Sequence, residues 1–247
     1  MKKKIRLDQL TVERGLAETR TKAQAMIMAG EILVGGQTMT KAGVSVPATA
    51  TLTCKNSGPK FVSRGGIKLA GALDHFQVDP QGWNCLDVGA STGGFTDSLL
   101  QRGAKHVSTI DVGRGQLDPK IRNHPQVTWK EEFHARKLTP ATLPKLVDLA
   151  VVDVSFISLK KVLPFVIPCI RPGGRLLALI KPQFEATRKD VVKGVLKDET
   201  KRQVILREIE RFASEELQLT DLQLADAVIT GPKGNREAFL FGTKSYA

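Results

Sequence analysis

Cys85-Leu86-Asp87-Val88-Gly89-Ala90-Ser91-Thr92-Gly93-Gly94-Phe95-Thr96 is the stretch on which the reading of the chain turns. A short apolar run reads as a strand, and Gly89 lets the backbone leave it in a tight turn. Gly93 and Gly94 permit close backbone approach to a ligand, and a helix follows whose free amides and partial positive charge face the same loop. One strand later Ile110-Asp111 places a carboxylate about twenty residues on, where a ribose hydroxyl pair is normally held.

Outward from this loop, strands and helices alternate. Strands are predicted at 85–89, 107–112, 127–129, 149–154, 176–181, 225–229 and 238–242, and helices at 95–102, 159–170 and 199–217. That succession predicts an α/β fold, a Rossmann-like doubly wound sheet that is mostly parallel with an antiparallel last strand. Ligands of such sheets sit beyond the carboxyl ends of the strands, near the switch in strand order.

The loop spacing is Gly-x-x-x-Gly-Gly rather than the Gly-x-Gly-x-x-Gly of nicotinamide enzymes, and an acid, Asp87, lies inside the strand. Both features resemble class I methyltransferases, whose loop meets an amino-acid tail instead of a pyrophosphate. The resemblance implies S-adenosyl-L-methionine as cofactor, held by Asp87, Gly89, Ala90, Ser91, Thr92, Gly93, Gly94, Phe95, Asp111 and Asp153.

A net charge of +12 over 247 residues favours a polyanionic partner, nucleic acid or an anionic membrane face. The membrane option weakens because Asp8, Glu13 and Arg14 interrupt any signal-like core, and no run approaches the ~18 apolar residues of a spanning helix. Cys54, Cys85 and Cys169 are scattered, and His75, His106, His124 and His134 lack ligand spacing, so a cytoplasmic protein without a metal site is expected.

Residues 1–57 carry nine Lys/Arg against four Asp/Glu. Leu7, Leu10, Ala17, Ala23, Ile27 and Met28 recur at helical spacing, Ile32-Leu33-Val34 and Val44-Ser45-Val46 read as strands, and Gly35-Gly36 as a turn. Asn56-Ser57-Gly58-Pro59 punctuates the chain. The expected organisation is therefore a small α+β domain over 1–57, a linker over 58–62 and a catalytic domain over 63–247. The first segment resembles the S4 RNA-binding domain in Arg6-Leu7-Asp8, Thr19-Arg20, Ala23, Ile27, Gly30, the Ile32–Gly36 run and Lys41. Arg6, Arg20, Lys22 and Lys41, with Arg64 beyond the linker, are the candidate RNA-binding residues, since clustered cations neutralise phosphates without reading much sequence.

Polar residues also stand where buried strands should simply stop: Asp153, Lys181 and Glu237, with Lys68 at the head of the second domain. SRGGIKL from Ser63, DVGASTGGFTD from Asp87, DVGRGQL from Asp111, VVDVSFISL from Val151, LIKPQFE from Leu179 and GPKGNREAFLF from Gly231 resemble the TlyA-type (haemolysin A family) ribosomal RNA 2′-O-methyltransferases of the FtsJ-like group. The resemblance implies a Lys-Asp-Lys-Glu tetrad on Lys68, Asp153, Lys181 and Glu237, and ribosomal RNA or ribosomal subunits as partner, with cytidine as the nucleotide. In this reading Lys181 activates the ribose hydroxyl or stabilises the oxyanion. Lys68 assists it, and Asp153 and Glu237 orient the lysines. One departure is visible: the family usually has Asn where this chain has His134, before Ala135-Arg136. The alternatives are a non-catalytic RNA-binding or ribosome-assembly factor and a membrane-acting haemolysin.

Overall fold

The computed structural model describes residues 4–55, 60–187 and 189–246. Lys2, Lys3 and the Asn56–Pro59 punctuation fall outside the described residues. The chain divides into two units, Met1–Lys60 and Phe61–Ala247.

In the first unit, β1 (Lys4–Arg6) runs into α1 (Leu7–Glu13), and α2 (Arg20–Met28) starts where the Thr19 side chain accepts from the Lys22 amide. Then come β2 (Ile32–Val34), β3 (Gln37–Thr38), β4 (Ser45–Pro47) and β5 (Leu52–Cys54). Gly35 and Gly36 both have positive φ, as the two-residue hairpin between β2 and β3 requires. Leu7, Leu10, Ile27, Ile32 and Val46 form the core. Met28 departs from the expected apolar stripe: it is the last residue of α2 and is 64% exposed.

The second unit opens with α3 (Arg64–His75), a helix the strand–helix alternation did not predict. It continues through β6 (Asn84–Val88), α4 (Gly94–Gln101), β7 (His106–Ile110), α5 (Pro119–Arg122), β8 (Val127–Lys130) and β9 (Val147–Val152). After α6 (Leu163–Val166) follow β10 (Ile170–Ile180), α7 (Pro182–Glu185), α8 (Glu199–Glu215), β11 (Leu219–Asp226) and β12 (Ala238–Lys244). One sheet holds seven strands in the order β11-β12-β10-β9-β6-β7-β8. β12 lies antiparallel to both neighbours, and the β10-to-β8 stretch is parallel throughout. This is the Rossmann-like α/β sheet expected.

Alternation along the central strands fills a core on each face. Leu149 and Val151 of β9 face α3 and α4 with Leu69, Leu73 and Leu99, while Ala150 and Val152 face α6 and α8 with Val166, Ile205 and Ile209. Two predictions are corrected. The helix expected over 159–170 is broken into a 3₁₀ turn at Leu159–Lys161, the single turn α6 and a second 3₁₀ turn at Ile167–Cys169, because Pro164 and Pro168 cannot sit inside a continuous ladder. The strand expected over 225–229 is β11, which ends at Asp226. It is an edge strand, so it needs one apolar face only, and Val228 beyond it is 59% exposed.

Candidate active site

Strand order reverses between β6 and β9, and the glycine loop leaves β6 there. Gly89 has φ +86°, and a Cβ on it would stand 2.5 Å from the Asp153 carbonyl oxygen, so the turn and the close approach both demand glycine. The Gly89 and Ala90 amides donate to the Ile110 carbonyl, tying the loop to β7. Gly93 (φ +92°) caps α4 with no side-chain hydrogen bond to its first turn, and the Thr96 amide of that turn is directed at Asp87. A Cβ on Gly94 would fall 2.1 Å from Ser63 Oγ, so the start of α3 is pressed against the start of α4.

Behind the loop, Asp87 is fully buried, with Oδ2 accepting from Thr96 Oγ1 at 2.7 Å and Oδ1 meeting no donor among the described residues. Burial pushes its carboxyl up to about 7, against the opposing pull of the Thr96 hydrogen bond. Asp111, at the end of β7, accepts from the Ser91 amide at 2.8 Å and the Gly113 amide at 2.6 Å. Two amides leave a carboxylate about two further acceptor positions. Ser91 itself holds φ +49°.

Four titratable side chains meet in front of the loop as two pairs. Lys68 Nζ lies 2.6 Å from Glu237 Oε2, with the side chains 8% and 1% exposed. Lys181 Nζ lies 2.5 Å from Asp153 Oδ1 and donates to Ser155 Oγ at 2.9 Å. Lys68 comes from the buried face of α3, Asp153 and Lys181 from the first positions beyond the parallel neighbours β9 and β10, and Glu237 from the position before β12. All four line one cleft of about 600 Å³ together with Arg64, Gly89, Ala90, Ser91, Thr92, Gly94 and Phe95. A neighbouring cleft of about 760 Å³ shares Gly89, Ser91, Asp153, Ser155, Phe156 and Phe184 and adds Asp111 and His134.

The FtsJ-like methyltransferase model matches residues 61–244, and the S4 domain model matches 5–51. The chain belongs to the FtsJ-like methyltransferase family. YqxC of Bacillus subtilis is 42% identical over 96% of this chain and 85% of its own length. The Mycobacterium tuberculosis protein named 16S/23S rRNA (cytidine-2′-O)-methyltransferase TlyA is 41% identical over 98% of this chain and 90% of its own. A solved structure from Streptococcus thermophilus, which carries the name hemolysin, aligns with a TM-score of 0.74 at 35% identity. It covers all of this chain and 90% of that one.

Within this methyltransferase fold, Asp87 and Gly93 line neither cleft. Asp87 sits behind the loop, and Gly93 packs on Leu117 and Ile121. Phe95 lines the cleft yet is 3% exposed and stacks on Phe239. Arg64 donates to the Thr230 carbonyl at 3.0 Å from the cleft rim. His134 Nδ1 accepts from the Arg136 amide, capping a 3₁₀ turn, so in the neutral ring the proton sits on Nε2 as a donor for the second cleft. Arg6, Arg20, Lys22 and Lys41 belong to the first unit.

Sequence reasoning missed Ser155, Phe156 and Phe184. Phe156 is 90% exposed, holds φ +63° and sets its ring 4.9 Å from that of Phe184, lining both clefts. An aromatic ring out in solvent on a strained backbone is an unusual use of a phenylalanine. Its place within VVDVSFISL was the available signal, and its exposure was not.

Among the described residues, no group of three or more His, Cys, Asp or Glu could hold a metal ion, and no helix is long and apolar enough to cross a membrane.

Proposed function

We propose that this chain methylates a ribose 2′-hydroxyl of ribosomal RNA, with cytidine as the target nucleotide, using S-adenosyl-L-methionine. The supporting observation is that both lysine–carboxylate pairs line the cleft into which the glycine loop opens.

The residues fit such a cofactor. The start of α4, uncapped by any side chain, suits a carboxylate tail, and the remaining acceptor positions of Asp111 suit a ribose diol. His134 Nε2 suits a nucleobase nitrogen, and the buried Oε1 of Gln183, which lines the cleft without a donor, suits an ammonium group. The cofactor supplies an electrophilic methyl on sulfonium sulfur. Lys181 is the group placed to meet the 2′-hydroxyl. Ser155 accepts one of its N–H groups and the Asp153 carboxylate lies against it as an ion pair; as an ammonium Lys181 holds the developing charge of the ribose oxygen, and as a neutral amine it takes the hydroxyl proton. Glu237 holds Lys68 as a second cation lining the same cleft. Phe156, ringed by Phe184, offers a stacking face to a nucleotide turned out of its helix.

In this reading residues 1–57 hold RNA, 58–62 link, and 63–247 carry the transfer. The rRNA methyltransferase names of the relatives support ribosomal RNA or ribosomal subunits as partner, with the cytoplasm as the site of action in this reading. Lys181→Ala is expected to lower turnover on ribosomal RNA by roughly 10²–10⁴-fold, the scale of a positioned acid–base group. Binding of S-adenosylmethionine by titration calorimetry should persist. Near-normal transfer of tritiated methyl groups by that variant would remove the proposed role. Mass mapping of methylated fragments assigns the nucleotide.

A further inference from the structure

In the first unit one carboxylate is buried among cations that face solvent. Asp8, in the first turn of α1, has no exposed surface. Its Oδ1 accepts from Arg6 Nε at 3.1 Å and the Gln9 amide at 2.9 Å. Its Oδ2 accepts from Arg6 Nη2 at 2.9 Å, Arg20 Nε at 3.0 Å and Gln24 Nε2 at 2.8 Å. The Arg6 hydrogen bonds, against burial, hold the carboxyl far below the usual carboxylate range.

The arginines are used differently from the acid. Their side chains are 47% and 55% exposed, and Arg6 Nη1 and both Nη atoms of Arg20 have no partner among the described residues. Because both donate to the same Oδ2, the two bonded nitrogens stand no more than about 6 Å apart. The Arg6 guanidinium also lies against Gly43, where a Cβ would come within 3.3–3.6 Å of its atoms. Satisfying one buried carboxylate does not need two guanidiniums and an amide. Two cations fixed by one anion leave a net positive charge and three free donor atoms at the surface, the requirement of a phosphodiester oxygen pair.

We propose that Asp8 is a positioning residue that sets Arg6 and Arg20 as a fork for a single RNA backbone phosphate. The proposal rests on the RNA-holding reading of this unit and adds to it the residue that shapes the contact. Arg20 alone on a flexible stem would be a diffuse charge, whereas the shared oxygen fixes its direction and lowers the entropy lost on binding.

Charge and position make opposite forecasts for Asp8→Asn. By Coulomb attraction alone, removing a negative charge tightens RNA binding. If Asp8 positions the fork, binding weakens although the protein has become more positive. The probe is radiolabelled, protein-free ribosomal RNA bound to the full chain in filter assays from low to physiological salt. Expected for Asp8→Asn is a Kd about tenfold weaker, with the salt slope reduced by about one phosphate contact. The loss in methyl transfer falls on KM for RNA rather than on kcat. Arg20→Lys is a second variant, which keeps the charge but puts a single ammonium in place of a guanidinium that meets Asp8 through Nε and leaves both Nη atoms for the phosphate; a Kd at least threefold weaker is expected. It carries the test if Asp8→Asn fails to fold by circular dichroism. Wild-type binding with both folded variants within twofold of it, or tighter, overturns the inference. A wild type with no salt-dependent RNA binding overturns the RNA-holding reading as well.

Discussion

Asp87→Asn isolates a costly carboxyl ionisation in the catalytic unit. The carboxyl has no exposed surface, one hydrogen-bonded oxygen and one without a donor among the described residues, and Asp153 and Asp111 both add negative potential to the burial that raises it. An acid moved from 3.8 to about 7 is protonated in the folded chain over a range where the unfolded chain has already lost the proton. The native state then binds more protons than the unfolded one, so stability falls as pH rises from about 4 to about 7. At 1.36 kcal/mol per pKa unit the whole effect is ~4 kcal/mol, of which ~3 kcal/mol falls between pH 5 and pH 8. Asp8, Glu131, Asp148, Asp190, Glu199 and Asp226 are depressed and work in the opposite direction, while burial raises Glu185, so the quantity to measure is the difference between variant and wild type. Cofactor-free thermal melts at pH 5 and pH 8 should show the variant gaining on the wild type as pH rises, by roughly 6–12 °C for a unit of this size. A difference that stays constant across that window would refute the argument that Asp87 is held neutral by burial.

Three further outcomes follow from the same geometry. Glu237→Ala leaves the Lys68 ammonium buried without its partner and should destabilise the catalytic unit by ~3–5 kcal/mol in urea, whereas Lys68→Met with Glu237→Leu should recover most of that loss while abolishing transfer. Gly89→Ala forces a Cβ to within 2.5 Å of the Asp153 carbonyl at φ +86°, so calorimetry should show cofactor binding weakened at least tenfold. Phe156→Ala removes a ring that is 90% exposed, so the melting midpoint should move by no more than ~0.5 kcal/mol equivalent. The KM for RNA in that variant should rise severalfold, and an unchanged KM would discard the stacking role.

The sheet was legible because its strands are apolar runs cut by glycine, and a run such as Leu149–Val152 has no alternative in water but burial on both faces. What was not legible depended on competition between local signals. The apolar content of 159–170 spoke for a helix, and the two prolines were outweighed in the reading although they decide the backbone. β11 hid because an edge strand carries polar residues on one side, so Leu219–Asp226 has no apolar run to find. α3 was passed over because Gly65 and Gly66 are poor helix formers; here their lack of side chains is what lets Phe61, Ser63 and α4 close in.

The site divides the same way. Residue identities at strand ends pointed to Lys68, Asp153, Lys181 and Glu237, but identity does not specify pairing. The sequence has Lys68 assisting Lys181 and the two acids orienting the lysines; the structure adds which acid serves which, Glu237 for Lys68 and Asp153 for Lys181. That arrangement changes what each residue is for. Lys68 and Glu237 are 8% and 1% exposed and form the buried wall of the cleft; Lys181 and Asp153 are 12% and 21% exposed and form the pair that a ribose can reach. Removing either wall residue should therefore cost stability and activity together, while Lys181→Ala should cost activity with far less loss of stability, since Asp153 left alone can still meet water. Urea midpoints and single-turnover rates measured on the same four alanine variants separate the pairs. Equal stability losses at Lys68 and Lys181 would mean that the cleft has no inner and outer pair, and that the division of labour drawn from burial is wrong.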